Sequence, residues 1–194
     1  NAYRVLVAEM MLRKTTAQQV KGVYSQFIKR FPNANALARA DQKKVCTMIT
    51  TLGMEKQRSR LLISFANALS ATCWEPPVDR DRLLALPGVG EYAADAVLSL
   101  IQGKRVPMVD RSVLRVASRF FGLPLPTNTR IAAKQVRSFL LPLLKHVSSR
   151  DFNLSLLDFA ATVCKARGPF CPVCILRDLC DYAQVNLRSS FHSS

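Results

Sequence analysis

The chain has 194 residues, 49% of them hydrophobic, which suits one compact unit or two small lobes with a sizeable core. Lysine and arginine number 28 against 13 aspartates and glutamates, a net charge of +15 that points to a polyanionic partner, nucleic acid ahead of an acidic membrane surface, although a merely soluble basic protein has the same balance. No apolar run approaches the roughly 18 residues of a transmembrane helix, and no secretory signal is visible at a start that lacks methionine.

The predicted elements are helical throughout. Tyr3, Leu6, Val7 and Met10 share one face of a first helix. Val20, Tyr24, Phe27 and Ile28 repeat the spacing in a second, which Pro32 ends. The periodicity continues over residues 37–49 and 57–71, and Glu75-Pro76-Pro77 reads as a linker. Further helical runs cover 81–85, 91–102, 112–121, 129–144 and 151–163, with Leu123-Pro124-Leu125-Pro126 as a second break. There is no alternating strand pattern, no repeat of fixed period and no low-complexity block. The expected class is all-α, a globular set of short helices with short joints.

Six cysteines divide by spacing. Cys46 and Cys73 are isolated and are expected to be small core hydrophobes. Cys164, Cys171, Cys174 and Cys180 are separated by six, two and five intervening residues, close enough to close around one soft metal centre. Disulfides are disfavoured in a chain without a secretion signal. Zinc in a four-cysteine tetrahedron competes with a [4Fe–4S] cluster. Zinc sites usually pair cysteines as two close knuckles, and only Cys171-Pro172-Val173-Cys174 is such a pair, which favours the cluster in a structural role. The loop between the first two cysteines carries Lys165 and Arg167, which a bound metal centre could present to phosphates.

Leu86-Pro87-Gly88-Val89-Gly90 joins two helical runs. Glycine adopts conformations strained for other residues and lets an anion approach the main chain at a helix start. A phosphate clip without sequence preference and a simple helix-joining turn both fit this stretch alone. Asp110 likewise reads, from position alone, as either a working acid or the N-cap of a helix starting near Ser112. Glu9 lies within the apolar run Val7-Ala8-Glu9-Met10-Met11, where a buried acid is costly unless it works or is paired.

A helix–hairpin–helix with this glycine turn, an aspartate 20 residues beyond Gly90, and a Cys-x6-Cys-x2-Cys-x5-Cys tail together resemble the endonuclease III superfamily of DNA base-excision glycosylases. The resemblance covers nearly the whole chain. Arg13-Lys14-Thr15-Thr16-Ala17, Arg150-Asp151-Phe152-Asn153 and Leu157-Asp158-Phe159 look like the archaeal-type G:T mismatch thymine-DNA glycosylases. Glu9-Met10-Met11-Leu12 and Tyr92 also resemble the adenine glycosylases that act opposite 8-oxoguanine. Those enzymes usually carry a further C-terminal domain, and the sequence here ends soon after Cys180, so thymine or uracil opposite guanine is the first expectation and adenine the second. A non-catalytic helix–hairpin–helix DNA-binding module is the third.

The resemblance implies a six-helix barrel lobe over 1–104 and an iron–sulfur cluster domain over 105–194, with a DNA groove between them. The N-terminal helix that the family's cluster domain normally receives is expected to precede this sequence. The resemblance also implies Asp110 as the catalytic carboxylate, Glu9 as proton donor to the leaving base, and the four clustered cysteines as ligands of a [4Fe–4S] cluster. Bifunctional members carry a lysine that forms a Schiff base where this chain has Tyr92, so a monofunctional enzyme is expected. Lys14 and Met54 match the family's two intercalating positions. Gly88, Val89, Gly90, Ser112, Lys165 and Arg167 are the remaining expected DNA contacts. Lys104 and Arg105 are candidates for phosphate binding, and Arg115 and Arg119 for fold or backbone contacts. Ser112 departs from the family, which usually has asparagine there. The implied partner is double-stranded DNA with a mismatched or damaged base, bound by a monomer inside the cell, with no membrane involved.

Overall fold

The computed structural model describes residues 1–190, with side chains through 185, so residues 191–194 of the expected second lobe lie outside the described residues. Among the described residues there are eleven α-helices joined by short turns and no strand. No helix is long and apolar enough to cross a membrane. The chain divides into two compact units, Asn1–Gln102 and Gly103–Ser194.

The first unit contains α1 (Ala2–Leu12), α2 (Ala17–Arg30), α3 (Ala34–Ala38), α4 (Gln42–Met48), α5 (Glu55–Ala68), α6 (Arg80–Ala85) and α7 (Glu91–Leu100). Helix α1 packs against α2, α5 and α7, while α5 also covers α3 and α4. Tyr3, Leu6, Val7, Met10 and Met11 are buried on α1, as the periodicity predicts. Tyr3 stacks on Phe65 with centroids 6.4 Å apart and donates its hydroxyl to Phe31 O at 2.9 Å. Burial holds the Tyr3 phenol well above its ordinary pKa, so it stays a donor.

The second unit contains α8 (Arg111–Phe121), α9 (Thr129–Leu140), α10 (Ser149–Thr162) and α11 (Asp181–Ser190). Helix α8 is its hub, packed on α9, α10 and α11. Val109, Val113, Ala117, Ala133, Val136 and Leu140 form its core, with Phe152, Leu156 and Leu157 of α10 against them.

The helix boundaries depart from the periodicity where local chemistry intervenes. The run over 37–49 is two helices, because Asp41 starts a new one by accepting Lys43 N–H at 2.8 Å. The run over 129–144 leaves α geometry at Leu140, since Pro142 cannot supply a ladder N–H, and continues as a 3-10 turn, Leu141–Lys145. The run over 57–71 likewise ends in a 3-10 turn, Leu69–Thr72.

Cys73 corrects an expectation. It is exposed, in a left-handed conformation at φ 51°, where the chain reverses and Trp74 N–H reaches back to Leu69 O at 2.9 Å. A reversal points the residue at its tip outward, whatever its polarity. Cys46 is half-buried, its sulfur 3.0 Å from Ser59 Oγ.

Candidate functional site

The glycine turn joins α6 to α7. Gly88 sits at φ +80°, and a Cβ there would lie 2.9 Å from Leu61 Cγ of α5, so both backbone conformation and close packing require glycine. Gly90 is different: its φ is −96°, and a Cβ would meet nothing within 4 Å. It is the N-cap of α7 and brings no side-chain acceptor of its own to the start of that helix. The Val89 side chain is buried, so only its main chain remains for a partner. Arg80 ties the hairpin together, 3.3 Å from fully buried Asp95 and 3.9 Å from Glu91.

Tyr92 stands in the first turn of α7, directly after the glycine turn, and is half-buried. Glu9 is half-buried on α1, a helix that packs against α7.

Lys14 and Met54 are both exposed, and both have left-handed backbones, at φ 55° and 52°. Such conformations cost roughly 1 kcal/mol or more outside glycine and persist only where the surroundings hold them. The holding group is one that the sequence analysis missed. Arg58 on α5 is only 5% exposed. It donates to Met10 O at 2.6 Å, Met11 O at 2.9 Å, Arg13 O at 3.0 Å, and Leu52 O and Gly53 O at 3.4 Å each. These acceptors are the last carbonyls of α1 and the backbone beside Lys14 and Met54. Burial, then the charge of Arg13, lowers the Arg58 pKa from its ordinary value. The sequence carried a signal: Arg58 shares the spacing of Leu62 and Phe65 on the apolar face of α5, where a charge needs a reason.

In the second unit, Asp110 is the N-cap of α8. Its Oδ1 accepts Val113 N–H at 2.8 Å and the Ser112 hydroxyl at 2.7 Å. The cap therefore occupies one carboxylate oxygen and leaves Oδ2 outside it. Capping and chemistry are compatible here, and Ser112 is turned to the acid itself. Pro107, Met108 and Val109 before it are buried. Asn153 of α10, also missed, holds this extended run by accepting Met108 N–H at 2.8 Å and donating to Val106 O at 2.8 Å. It too lies on a buried helix face, with Ser149 and Ala160. Lys104 and Arg105 are exposed at the start of the same run.

The four clustered cysteines come together. Cys164 follows α10, Cys171 and Cys174 bracket a 3-10 turn, Cys171–Val173, and Cys180 precedes α11. All four line one cavity with Val116, Phe159 and Leu176 among its walls. Burial, then Cys180, Cys164 and Cys174, push the Cys171 thiol up, while Arg119 pulls it down. Four thiolates so placed need a positive centre among them. Among the described residues, no group of three such side chains is arranged to hold a single metal ion. A donor set of four sulfurs around an apolar cavity fits an iron–sulfur group.

Arginines fasten this loop. Arg115 donates to Cys164 O at 3.0 Å and Ala160 O at 2.8 Å, and Arg119 to Lys165 O at 2.7 Å and Ala166 O at 3.1 Å. Lys165 places its ammonium 4.3 Å from the Phe170 ring centroid, and Arg167 is exposed.

Residues 7–139 match the family described as HhH-GPD superfamily base excision DNA repair protein, a span containing Glu9, Lys14, Met54, the glycine turn, Tyr92, Asp110 and Ser112. The chain is 37% identical over 190 residues to a thymine/uracil-DNA glycosylase of Pyrobaculum aerophilum, covering 96% of this chain and 83% of that one. It is 34% identical over 178 residues to an adenine DNA glycosylase of Mycolicibacterium smegmatis, covering 91% of this chain and 59% of that one. The solved structure of a thermostable thymine-DNA glycosylase matches with a TM-score of 0.88 at 32% identity, covering 95% of this chain and 85% of that one. With a helix–turn–helix around Gly88 and a capped acid at the head of α8, the chain belongs to the HhH-GPD superfamily and is a base-excision repair DNA glycosylase.

Proposed function

We propose that this glycosylase removes thymine or uracil opposite guanine in double-stranded DNA, by hydrolysis and without cutting the strand. The observation that carries the base choice is the likeness, over 96% of the chain, to a protein named a thymine/uracil-DNA glycosylase. In the reaction the bond from C1′ to the base nitrogen breaks, and its electron pair leaves with the base. Positive charge develops on the sugar, and a water oxygen then bonds to C1′ and releases a proton to solvent, from which Glu9 is reprotonated. Asp110 stabilises the sugar charge through the oxygen its cap leaves out, strengthened by the apolar run before it. Glu9 gives a proton to the departing base. Tyr92 contacts the target nucleotide, and its phenol cannot form the Schiff base that leads to strand cleavage.

The main chain of Gly88, Val89 and Gly90 grips a phosphate, supported by the start of α7. Lys14 and Met54 fill the gap left by the flipped nucleotide. Ser112 orients Asp110, and Lys165 and Arg167 add phosphate contacts from the cysteine loop. Cys164, Cys171, Cys174 and Cys180 hold a [4Fe–4S] cluster, which when bound cross-links that loop.

The test is a panel of labelled duplexes carrying G:T, G:U, A:G and A:8-oxoguanine, incubated with the protein and then treated with alkali to cut at abasic sites. Cleavage of the G:T and G:U strands alone is expected. Release of adenine alone would give the adenine reading, and release from none would overturn both.

A further inference from the structure

Three segments of the first unit, far apart in sequence, are joined by two guanidinium groups. Arg58 reaches the end of α1, the carbonyl before Lys14, and the Leu52 and Gly53 carbonyls before Met54. Arg13, whose carbonyl Arg58 holds, donates its own Nη2 to Gly88 O at 2.9 Å. The linkage runs from the Met54 loop through Arg58 and Arg13 to the glycine turn. Capping α1 would need only the Met10 and Met11 contacts. The further contacts span segments whose tips are an exposed cation and an exposed thioether on left-handed backbones. The planar fork of Arg58 spreads its donors over five carbonyls in two segments, which the three donors of a lysine ammonium cannot reproduce.

We propose that Arg58 and Arg13 are positioning residues, a guanidinium brace that fixes Lys14, Met54 and the Gly88–Gly90 turn at set spacings so that they engage duplex DNA as one rigid element. The proposal rests on reading Lys14 and Met54 as the groups that fill the gap. Extruding a nucleotide costs its stacking and pairing. Loops already ordered before contact add little to that cost, whereas loose loops must be ordered at the same moment.

The experiment uses the full chain and a G:U duplex with 2-aminopurine beside the uracil, whose fluorescence rises when the nucleotide leaves the stack. Flipping, single-turnover base release and thermal melting are measured for the parent, Arg58→Lys, Lys14→Ala/Met54→Ala, and the combination. Arg58→Lys is expected to flip at least about tenfold more slowly, as for loss of roughly one charge-assisted hydrogen bond or more. In the Lys14→Ala/Met54→Ala background it should add less than about twofold, because residues acting as one unit are not additive. Parent-like flipping by Arg58→Lys, or full additivity of the losses, would overturn the brace. If Arg58→Lys does not melt cooperatively, Arg13→Gln decides: slowed flipping at unchanged melting temperature supports the brace, and parent-like flipping overturns it. A parent that flips the reporter but releases no uracil would refute the base assignment while leaving the brace to be judged on flipping alone.

Discussion

Ser112 donates its hydroxyl to Asp110 Oδ1 at 2.7 Å, and the Val113 N–H donates to the same oxygen as its cap bond at 2.8 Å. One carboxylate oxygen is thereby pinned from two directions, and the rotation of the other is set. The short Ser112 side chain works on the acid directly.

Asp110→Asn keeps a good N-cap, because an amide oxygen accepts as the carboxylate does. DNA binding and melting temperature should change little. Base release should fall at least about a hundredfold, the scale for losing one key electrostatic group. Single-turnover kinetics on a G:T or G:U duplex measures it, and parent-like turnover would reduce Asp110 to a helix cap.

Ser112→Ala removes one donor and leaves the cap bond from Val113 in place. A hydrogen bond to a charged group contributes about 1.5–3 kcal/mol, so base release should drop by roughly ten- to a hundredfold with folding intact. Ser112→Thr, which restores the hydroxyl, should recover most of the rate. Equal rates for the alanine variant and the parent would show that the Val113 N–H alone orients the acid.

Tyr92→Lys places an amine in the first turn of α7. Borohydride should trap a covalent DNA adduct with the variant and not with the parent, and strand cleavage should accompany it. Trapping by the parent would show that another lysine already reaches the sugar.

The cysteine cavity should hold iron and inorganic sulfide. The purified protein is expected to be yellow-brown, with a broad absorbance near about 400 nm. Cys171→Ser should lose iron and colour together. A colourless, fully active preparation containing stoichiometric zinc would refute the cluster.

Asn153→Ala strips the extended run before Asp110 of two hydrogen bonds, to Met108 N–H and Val106 O. Val106 O keeps the Ser149 hydroxyl at 3.4 Å, so the main loss is the buried Met108 N–H left unpaired, and chemical denaturation should show a loss of about 1–3 kcal/mol. Asn153→Asp can still accept from Met108 but cannot donate to Val106, and should fall between parent and alanine.

The sequence by itself determined the class of fold, the approximate position of most helices and the identity of the motifs. Helical periodicity, prolines and the cysteine spacing are local, and each is readable within a few turns of chain. α11 was not anticipated, since its start at Asp181 follows directly on the cysteine loop without an apolar run of its own. Tertiary structure alone decided what depends on distant partners. Arg58 meets carbonyls up to 48 residues away, and Asn153 meets a main chain 45 residues away, so neither role was visible in its neighbours. The same holds for Cys73, whose exposure follows from a chain reversal, and for Gly88, whose missing Cβ makes room for Leu61 of another helix. A buried polar group is stable only when its partners are in place, and which partners arrive is settled by packing rather than by spacing.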